Sequence, residues 1–254
     1  MSTAAVLAGR TFGHWRAQPF ALAIELLFPV LIMLMMAGMF GGAIAGSAGD
    51  YIPFVVPGVL ALSMLFGLES TMTAVNGDLR EGITDRFRSL PISAGSVLFG
   101  RVLADLAGSV AVLITMSITG FLLGWRWEAL APALVAYLLL LWLRLALLWV
   151  GIYLGLAASG AETVTAIQIL VWPVGFLSTA FLDPATMPPW LGAIAQWNPL
   201  SSTATAVRDL FGNPTVAGGT WAVDNADLLA VLWPAALLLV FVPLAVRRYR
   251  TLDR

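Results

Sequence analysis

"LLLLWLRLALLWV", residues 138–150, is an almost unbroken apolar run that contains one arginine, Arg144. It is the centre of a longer apolar stretch, 131–157, and about 20 such residues suffice for a helix to cross a bilayer core about 30 Å thick. An arginine near the middle of such a helix costs roughly 2.5–3.5 kcal/mol, so it must face protein or water. The stretch therefore predicts a membrane-spanning helix that packs against other helices.

Five further runs have the same length and character. They lie near 20–42, 53–76, 96–123, 162–182 and 226–246. The chain is 60% hydrophobic and 11% charged, whereas a soluble domain has roughly twice that charge. The sequence predicts an all-α polytopic membrane protein, a single domain over 1–254 with six transmembrane helices. Residues 1–19 are expected to form a leader helix on the membrane lipids, the alternative being a partly disordered tail.

The basic residues are distributed unevenly between the two sides of the predicted bundle. All 13 are arginine, and only Arg126 and Arg208 fall on one side if the six spans alternate. The segments on the other side contain Arg10, Arg16, Arg80, Arg86, Arg88, Arg101, Arg247, Arg248, Arg250 and Arg254. The positive-inside rule then predicts a multi-pass protein of the inner or plasma membrane with both termini in the cytoplasm.

The stretch "NGDLREGITDRFRSLPISAG", residues 76–95, is the most polar passage and has helical periodicity. Asn76-Gly77 is expected to break the second span, with Asp78 capping a new helix over 78–91 that Pro91 ends. Its acidic residues favour docking to a partner protein over the anionic lipid surface, which is the other possibility. The docking residues are expected to be Asp78, Leu79, Glu81, Ile83, Asp85, Arg86, Phe87, Arg88 and Leu90.

Residues 183–225 do not form another span, although few of them are charged. Four prolines exclude one long helix and leave room for two short ones, near 190–196 and 201–211. Ser201 or Ser202 is expected to cap the second, with Arg208 in its later turns. We expect these helices in the outer leaflet or re-entrant, anchored by Trp190 and Trp197, rather than in an ordinary extracellular loop.

Charged residues inside the predicted spans require partners. Glu69 in the second span is the expected partner of Arg144, while Glu25 and Asp105 lie nearer the inner interface. The pair either fixes helix register or lines the substrate path, and the sequence leaves both possibilities open.

Small residues at four-residue spacing allow close helix approach. The pairs are Gly38/Gly42, Gly120/Gly124 and Gly151/Gly155. Each pair indicates either a dimer face or packing within the chain.

Two segments carry a family resemblance. "DLREGITDRFRSLPISAGSVLFGRVLADL" (78–106) resembles the cytoplasmic coupling segment of ABC-2-type transporter permeases. "VWPVGFLSTAFLDPATMPPWLGAIAQWNPLSSTATAVRDLF" (171–211) is similar to the family's most recognisable passage, and the likeness is to its daunorubicin-resistance branch. The resemblance implies one half of an exporter of hydrophobic drugs, lipids or related compounds. It implies a second permease copy or homologue and an ATPase subunit that docks on residues 78–91. The exit gate is expected to use Pro173, Phe181, Trp190, Trp197, Asn198 and Arg208.

Missing residue types exclude several classes of function. A phosphate-binding loop needs a lysine, and this chain has none, so ATP and Mg²⁺ are expected on a partner ATPase and no cofactor on this chain. One histidine and no cysteine make a zinc site or a metalloenzyme implausible, and neither an enzyme nor a nucleic-acid partner is expected. An ion-coupled secondary transporter or channel is the alternative, since Glu25, Glu69 and Asp105 could relay protons. Against this alternative, the sequence shows no internal repeat of the kind that many such carriers have.

Overall fold

The computed structural model describes residues 19–84 and 94–252, without the side chains of 19–25, 94 and 96. The described helices are α1 (Pro19–Ala45), α2 (Ala48–Arg80), α3 (Ala94–Leu122), α4 (Leu130–Ala157), α5 (Ala161–Phe176), α6 (Pro189–Gln196), α7 (Pro199–Leu210), α8 (Trp221–Asp224) and α9 (Ala226–Arg250). A 3-10 turn occupies Pro184–Thr186. This confirms the all-α polytopic fold, and the described residues include no strand.

The turn between α1 and α2 is shorter than the gap between the predicted spans 20–42 and 53–76. Gly46 has a positive φ of 82°, which an L side chain rarely adopts, and Ser47 Oγ accepts a hydrogen bond from the Asp50 backbone N–H at 3.1 Å. A Cβ on Gly41 would lie 2.5 Å from Ala48 Cα, so only glycine allows this close approach. Since the cap is placed at Ser47, α2 begins well before residue 53.

Helix α2 is the buried centre of the bundle. It packs against α1, α3, α4, α5 and α7, and residues such as Val55, Val59 and Met64 are almost fully covered. A Cβ on Gly151 would lie 2.8 Å from Leu68 O, and one on Gly155 would lie 2.7 Å from Met72 O. These two glycines therefore serve packing of α4 on α2 within the chain, rather than a dimer face.

The other two glycine pairs behave differently. Gly38 and Gly42 have no described atom within 4 Å of an added Cβ, so at these two positions α1 packs against none of the described residues. Gly120 packs against Val56 and Trp125 within the chain, while Gly124 has a φ of 100° in the turn after α3.

Five described helices, α1, α2, α3, α4 and α9, are long and apolar enough to cross a membrane. The fifth predicted span, 162–182, is instead the 16-residue α5 followed by irregular chain. Such a helix is only about 24 Å long. Residues 178–181 follow it without helical structure and are buried. Irregular backbone is tolerated at membrane depth where protein covers it and satisfies its polar groups.

The six apolar helices alternate in direction. Asn76 near the end of α2 donates to Gly155 O and Ala158 O at the end of α4, and Arg248 of α9 donates to Leu156 O. The start of α1, the end of α2, the start of α3 and the end of α9 therefore share one end of the bundle, which we call the Asp78 end. The opposite end, with α6 and α7, is called the Arg208 end.

The two predicted short helices are confirmed as α6 and α7. The predicted cap is wrong: Asn198 Oδ1, not Ser201 or Ser202, accepts the hydrogen bond from the Leu200 backbone N–H at 2.9 Å. Pro199 follows the cap at the first helical position, where a missing N–H costs no hydrogen bond.

Candidate functional site in the membrane interior and at both ends of the bundle

Arg144 lies in a polar cluster between α2, α3 and α4 and is only 3% exposed. Its Nε donates to Ser109 Oγ at 2.7 Å, and its Nη2 donates to Thr71 Oγ1 at 3.3 Å. The guanidinium lies against Gly67, where an added Cβ would be 2.3 Å from Arg144 Cζ. Helix α2 thus provides both a flat backbone surface and a hydroxyl for the intramembrane charge.

The cluster continues as a ladder of polar contacts toward the Asp78 end. Thr71 Oγ1 donates to Asp105 Oδ2 at 2.9 Å. Arg101 Nε lies 3.9 Å from the same carboxylate oxygen, and its Nη1 donates to Asp78 Oδ2 at 2.5 Å. Since Arg101 and Asp105 are one helical turn apart on α3, they lie on the face that meets α2. We call the contacts from Asp78 through Arg101, Asp105 and Thr71 to Arg144 the polar ladder.

Glu69 is not ion-paired with Arg144 in the described part of the chain, so the predicted pairing is wrong. Gly67 and Thr71, one turn apart, face the guanidinium, and residue 69 is about half a turn away from both around α2. Glu69 Oε1 is buried and has no hydrogen-bond partner among the described residues. The two residues do not pair because of where Glu69 points around the axis of α2, not because they lie at different depths in the membrane.

Glu69 and Arg144 both line one cleft of about 370 Å³. Its wall also includes Phe28 of α1, Phe66 of α2, Ser109 of α3 and Gln168 of α5. The four predicted intramembrane charges thus divide. Asp105 and Arg144 belong to the polar ladder, Glu69 faces the cleft without a described partner, and Glu25 lies in α1 with its side chain outside the described residues.

The predicted docking helix begins differently from expectation. Helix α2 runs through Asn76 and Gly77 to Arg80, so Asp78 and Leu79 are in its last turn and Asp78 caps no new helix. Glu81 is the C-cap of this helix, and the next residue, Gly82, takes a φ of 66°. Asn76 stays within the helix, and its Nδ2 donates to two carbonyls near the end of α4, Gly155 O and Ala158 O.

Ile83 and Thr84 are helical, and the rest of the predicted docking helix lies outside the described residues. Those residues are Asp85, Arg86, Phe87, Arg88 and Leu90.

At the Arg208 end, Asn198 joins α5 to α7. Its Nδ2 donates to Val174 O and Leu177 O, both at 2.7 Å, which are carbonyls left without helical donors where α5 ends. Pro173 is exposed in the last turns of α5. Phe181 is buried, and its backbone O accepts a hydrogen bond from Tyr51 Oη at 2.6 Å.

Arg208 is fully buried rather than placed at a membrane surface. Its Nε donates to Phe54 O and its Nη2 to Ala180 O, both at 2.8 Å, and its Cζ lies 3.8 Å from the centre of the Phe54 ring. Burial lowers the pKa of the guanidinium to about 9, which leaves it protonated at neutral pH. Arg208 therefore connects α7, the irregular segment and the start of α2.

The tryptophans at this end fall into two classes. Trp190 and Trp197 are 67% and 51% exposed, and Trp197 stacks on Trp221 with 5.8 Å between ring centres. Trp125 is fully buried and donates its Nε1–H to Asn213 Oδ1 at 2.6 Å. Buried tryptophan needs such a partner for its N–H.

Comparison with known proteins settles the family. The model of the family described as ABC-2 type transporter matches residues 4–211. The daunorubicin resistance ABC transporter permease protein DrrB1 of Streptomyces coeruleorubidus is 35% identical over 255 residues, which cover 97% of this chain and 88% of the relative. The chain belongs to the ABC-2 type transporter family.

A second relative agrees with this assignment. The probable doxorubicin resistance ABC transporter permease protein DrrC of Mycobacterium tuberculosis is 25% identical over 252 residues, which cover 93% of this chain and 84% of the relative. The resemblance noted in the two sequence segments is confirmed. The chain is a multi-pass membrane permease of the ABC transporter kind, the membrane-embedded rather than the catalytic component.

Sequence reasoning missed several residues that organise this permease. Ser109 and Thr71 were not singled out, although Arg101, Asp105 and Ser109 recur every four residues, a pattern that places them on one face of α3. Tyr51 and Asn213 carry no comparable signal, because each bonds a residue more than 80 positions away.

Proposed function

We propose that this permease is one half of an ATP-driven exporter and that a separate ATPase subunit docks at its Asp78 end. The proposed cargo is a hydrophobic drug, lipid or related compound, in keeping with the drug-resistance names of its relatives. A second copy or a homologous permease completes the path. ATP and Mg²⁺ bind the ATPase, and both termini of the permease are cytoplasmic in the inner or plasma membrane.

The polar ladder is the observation that carries this proposal. Its first contact, Asp78 with Arg101, lies in the last turn of α2, beside the segment that resembles a coupling helix. Its last contact joins Thr71 to Arg144, and Arg144 lines the 370 Å³ cleft. A displacement of the end of α2 by a docked ATPase would therefore reach the cleft through direct polar contacts.

The experiment co-reconstitutes the full permease with the ATPase that co-purifies with it and measures ATP-dependent daunorubicin uptake into inside-out vesicles. Arg101→Gln removes the centre of the polar ladder, and we expect ATPase binding to persist while transport per ATP hydrolysed falls. Arg250→Gln, an exposed arginine at the same end, is the control and should leave both quantities unchanged. Equal transport in the two variants would refute the role of the ladder.

Docking itself is tested with Ile83→Arg, and with Phe87→Arg in the same predicted helix. Each places a charge on the expected apolar face, and we expect loss of ATPase co-purification with normal membrane insertion. Uptake that persists without ATP but stops when the ion gradient is collapsed would instead establish an ion-coupled carrier.

A further inference from the structure

We propose that the cleft beside Glu69 binds an organic cation, an ammonium-type group attached to an aromatic or apolar body, and that Glu69 is its counter-ion. This deepens the function proposed above and rests on it for the direction of transport. The binding step itself needs neither the ATPase nor ATP.

The first support is the state of the Glu69 carboxylate. Oε1 is buried, lines the cleft and accepts no hydrogen bond from any described residue. The neighbouring donors are directed elsewhere: Ser70 Oγ donates to Gly67 O, and Gln168 Nε2 donates to Thr73 Oγ1. A buried carboxylate acceptor without a donor is costly, so a ligand that supplies one gains the whole of that interaction.

The second support is the position of the nearest positive charge. Arg144 lines the same cleft, but it hydrogen-bonds Ser109 and Thr71 and connects through Thr71 to the Asp105 carboxylate. The polar ladder also contains Arg101 and the carboxylates of Asp78 and Asp105, so its formal charges are two positive and two negative. Glu69 stands outside that network, which favours a cationic ligand over an anionic one at its end of the cleft.

The third support is the aromatic lining of the same cleft. Phe28 and Phe66 line the cleft with ring centres 5.4 Å apart, and the Trp172 ring centre lies 5.0 Å from that of Phe66 and 5.9 Å from that of Phe28. Aromatic faces attract cations and stack on flat apolar groups. The volume of about 370 Å³ falls within the usual range of small-molecule sites.

The test measures binding of ethidium, a flat aromatic cation, to the purified full-length permease in detergent by fluorescence polarisation. We expect Glu69→Gln to weaken ethidium binding about tenfold or more, because it removes a charged acceptor. Glu69→Asp should retain part of the affinity. Glu162→Gln, which removes an exposed carboxylate on α5 away from the cleft, should leave binding unchanged.

A second ligand and a second readout separate recognition from folding. Anilinonaphthalene sulfonate, a flat aromatic anion, should bind wild type and Glu69→Gln alike. The melting temperature of Glu69→Gln should not fall, because Glu69 is half-buried and its buried Oε1 has no hydrogen-bond partner among the described residues to lose.

Unchanged ethidium affinity in Glu69→Gln, or no ethidium binding by the wild type, would overturn the proposal. Loss of ATP-driven transport with ethidium binding intact would count against the exporter function alone, so the two failures are distinguishable.

Discussion

Substitution of Gly67 by alanine tests how the permease accommodates an arginine in its interior. The added Cβ would lie 2.3 Å from Cζ and Nη1 of Arg144, well inside van der Waals contact. The guanidinium must retreat, yet its Nε is held by Ser109 and its Nη2 by Thr71. We therefore expect Gly67→Ala to break at least one of these hydrogen bonds.

The expected change in the free energy of unfolding is the sum of two opposing effects. One lost hydrogen bond to a charged group costs about 1.5–3 kcal/mol. Replacing a glycine within a helix by alanine stabilises the helix by about 0.8–1.0 kcal/mol, because alanine has the higher helix propensity. The net loss of about 1–2 kcal/mol should lower the melting temperature, at about 2–4 °C for each kcal/mol in a chain of this size.

Gly77→Ala is the matched control because it changes the same residue type in the same helix. No described atom lies within 4 Å of an added Cβ there, so only the helix propensity gain of about 1 kcal/mol remains. Thermal unfolding in one detergent should move in opposite directions for the two variants. A Gly67→Ala protein as stable as Gly77→Ala would refute the assigned contact with Arg144.

A double-mutant cycle adds a stricter criterion. Arg144→Met removes the group with which the new Cβ collides, so Gly67→Ala should cost much less in that background. Contacting residues usually show interaction energies above about 0.5 kcal/mol. Strict additivity of the two changes would contradict the geometry described here.

Three further substitutions test the Arg208 end. Asn198→Asp keeps the cap of α7 but removes both donors to the end of α5, and should lower the melting temperature by more than Trp197→Phe, measured in the same detergent. Arg208→Met leaves two carbonyls without their donor and should cost about 2–5 kcal/mol or prevent accumulation of folded protein, measured by size-exclusion recovery. Trp125→Phe removes the hydrogen bond to Asn213 and should cost about 1 kcal/mol beyond its packing loss, measured by thermal unfolding. Asn213→Ala added to the Trp125→Phe variant should then cost little more.

Long-range periodicity explains why most helices could be predicted. An apolar stretch of 20 or more residues has few alternatives to a spanning helix, so the spans corresponding to α1 to α4 and α9 were placed within a few residues on most boundaries. The largest boundary errors fell at polar helix ends. Asn76-Gly77 has the composition of a helix stop, but the Asn76 amide is used on α4, and no local rule could reveal that contact.

The predicted pairing of Glu69 with Arg144 failed for a related reason. Depth in the membrane was readable from the position along each span: Glu69 and Arg144, expected at similar depth, line the same cleft. Which of these side chains contact each other depends instead on the rotation of each helix about its axis. A shift of two residues along α2 turns a side chain by about half a turn, which separates Glu69 from the face that holds Arg144.

The sequence by itself determined that this chain is a helical membrane permease without lysine or cysteine, with short helices between its fifth and sixth apolar segments. Composition and apolar length suffice for that, because lipid leaves a backbone few ways to satisfy its hydrogen bonds. Only the tertiary structure decided that α5 ends early, that Arg208 and Trp125 are buried, and that Arg144 bonds Ser109 and Thr71. Each of these depends on contacts between residues far apart in sequence, where the orientation of helices decides which polar groups meet.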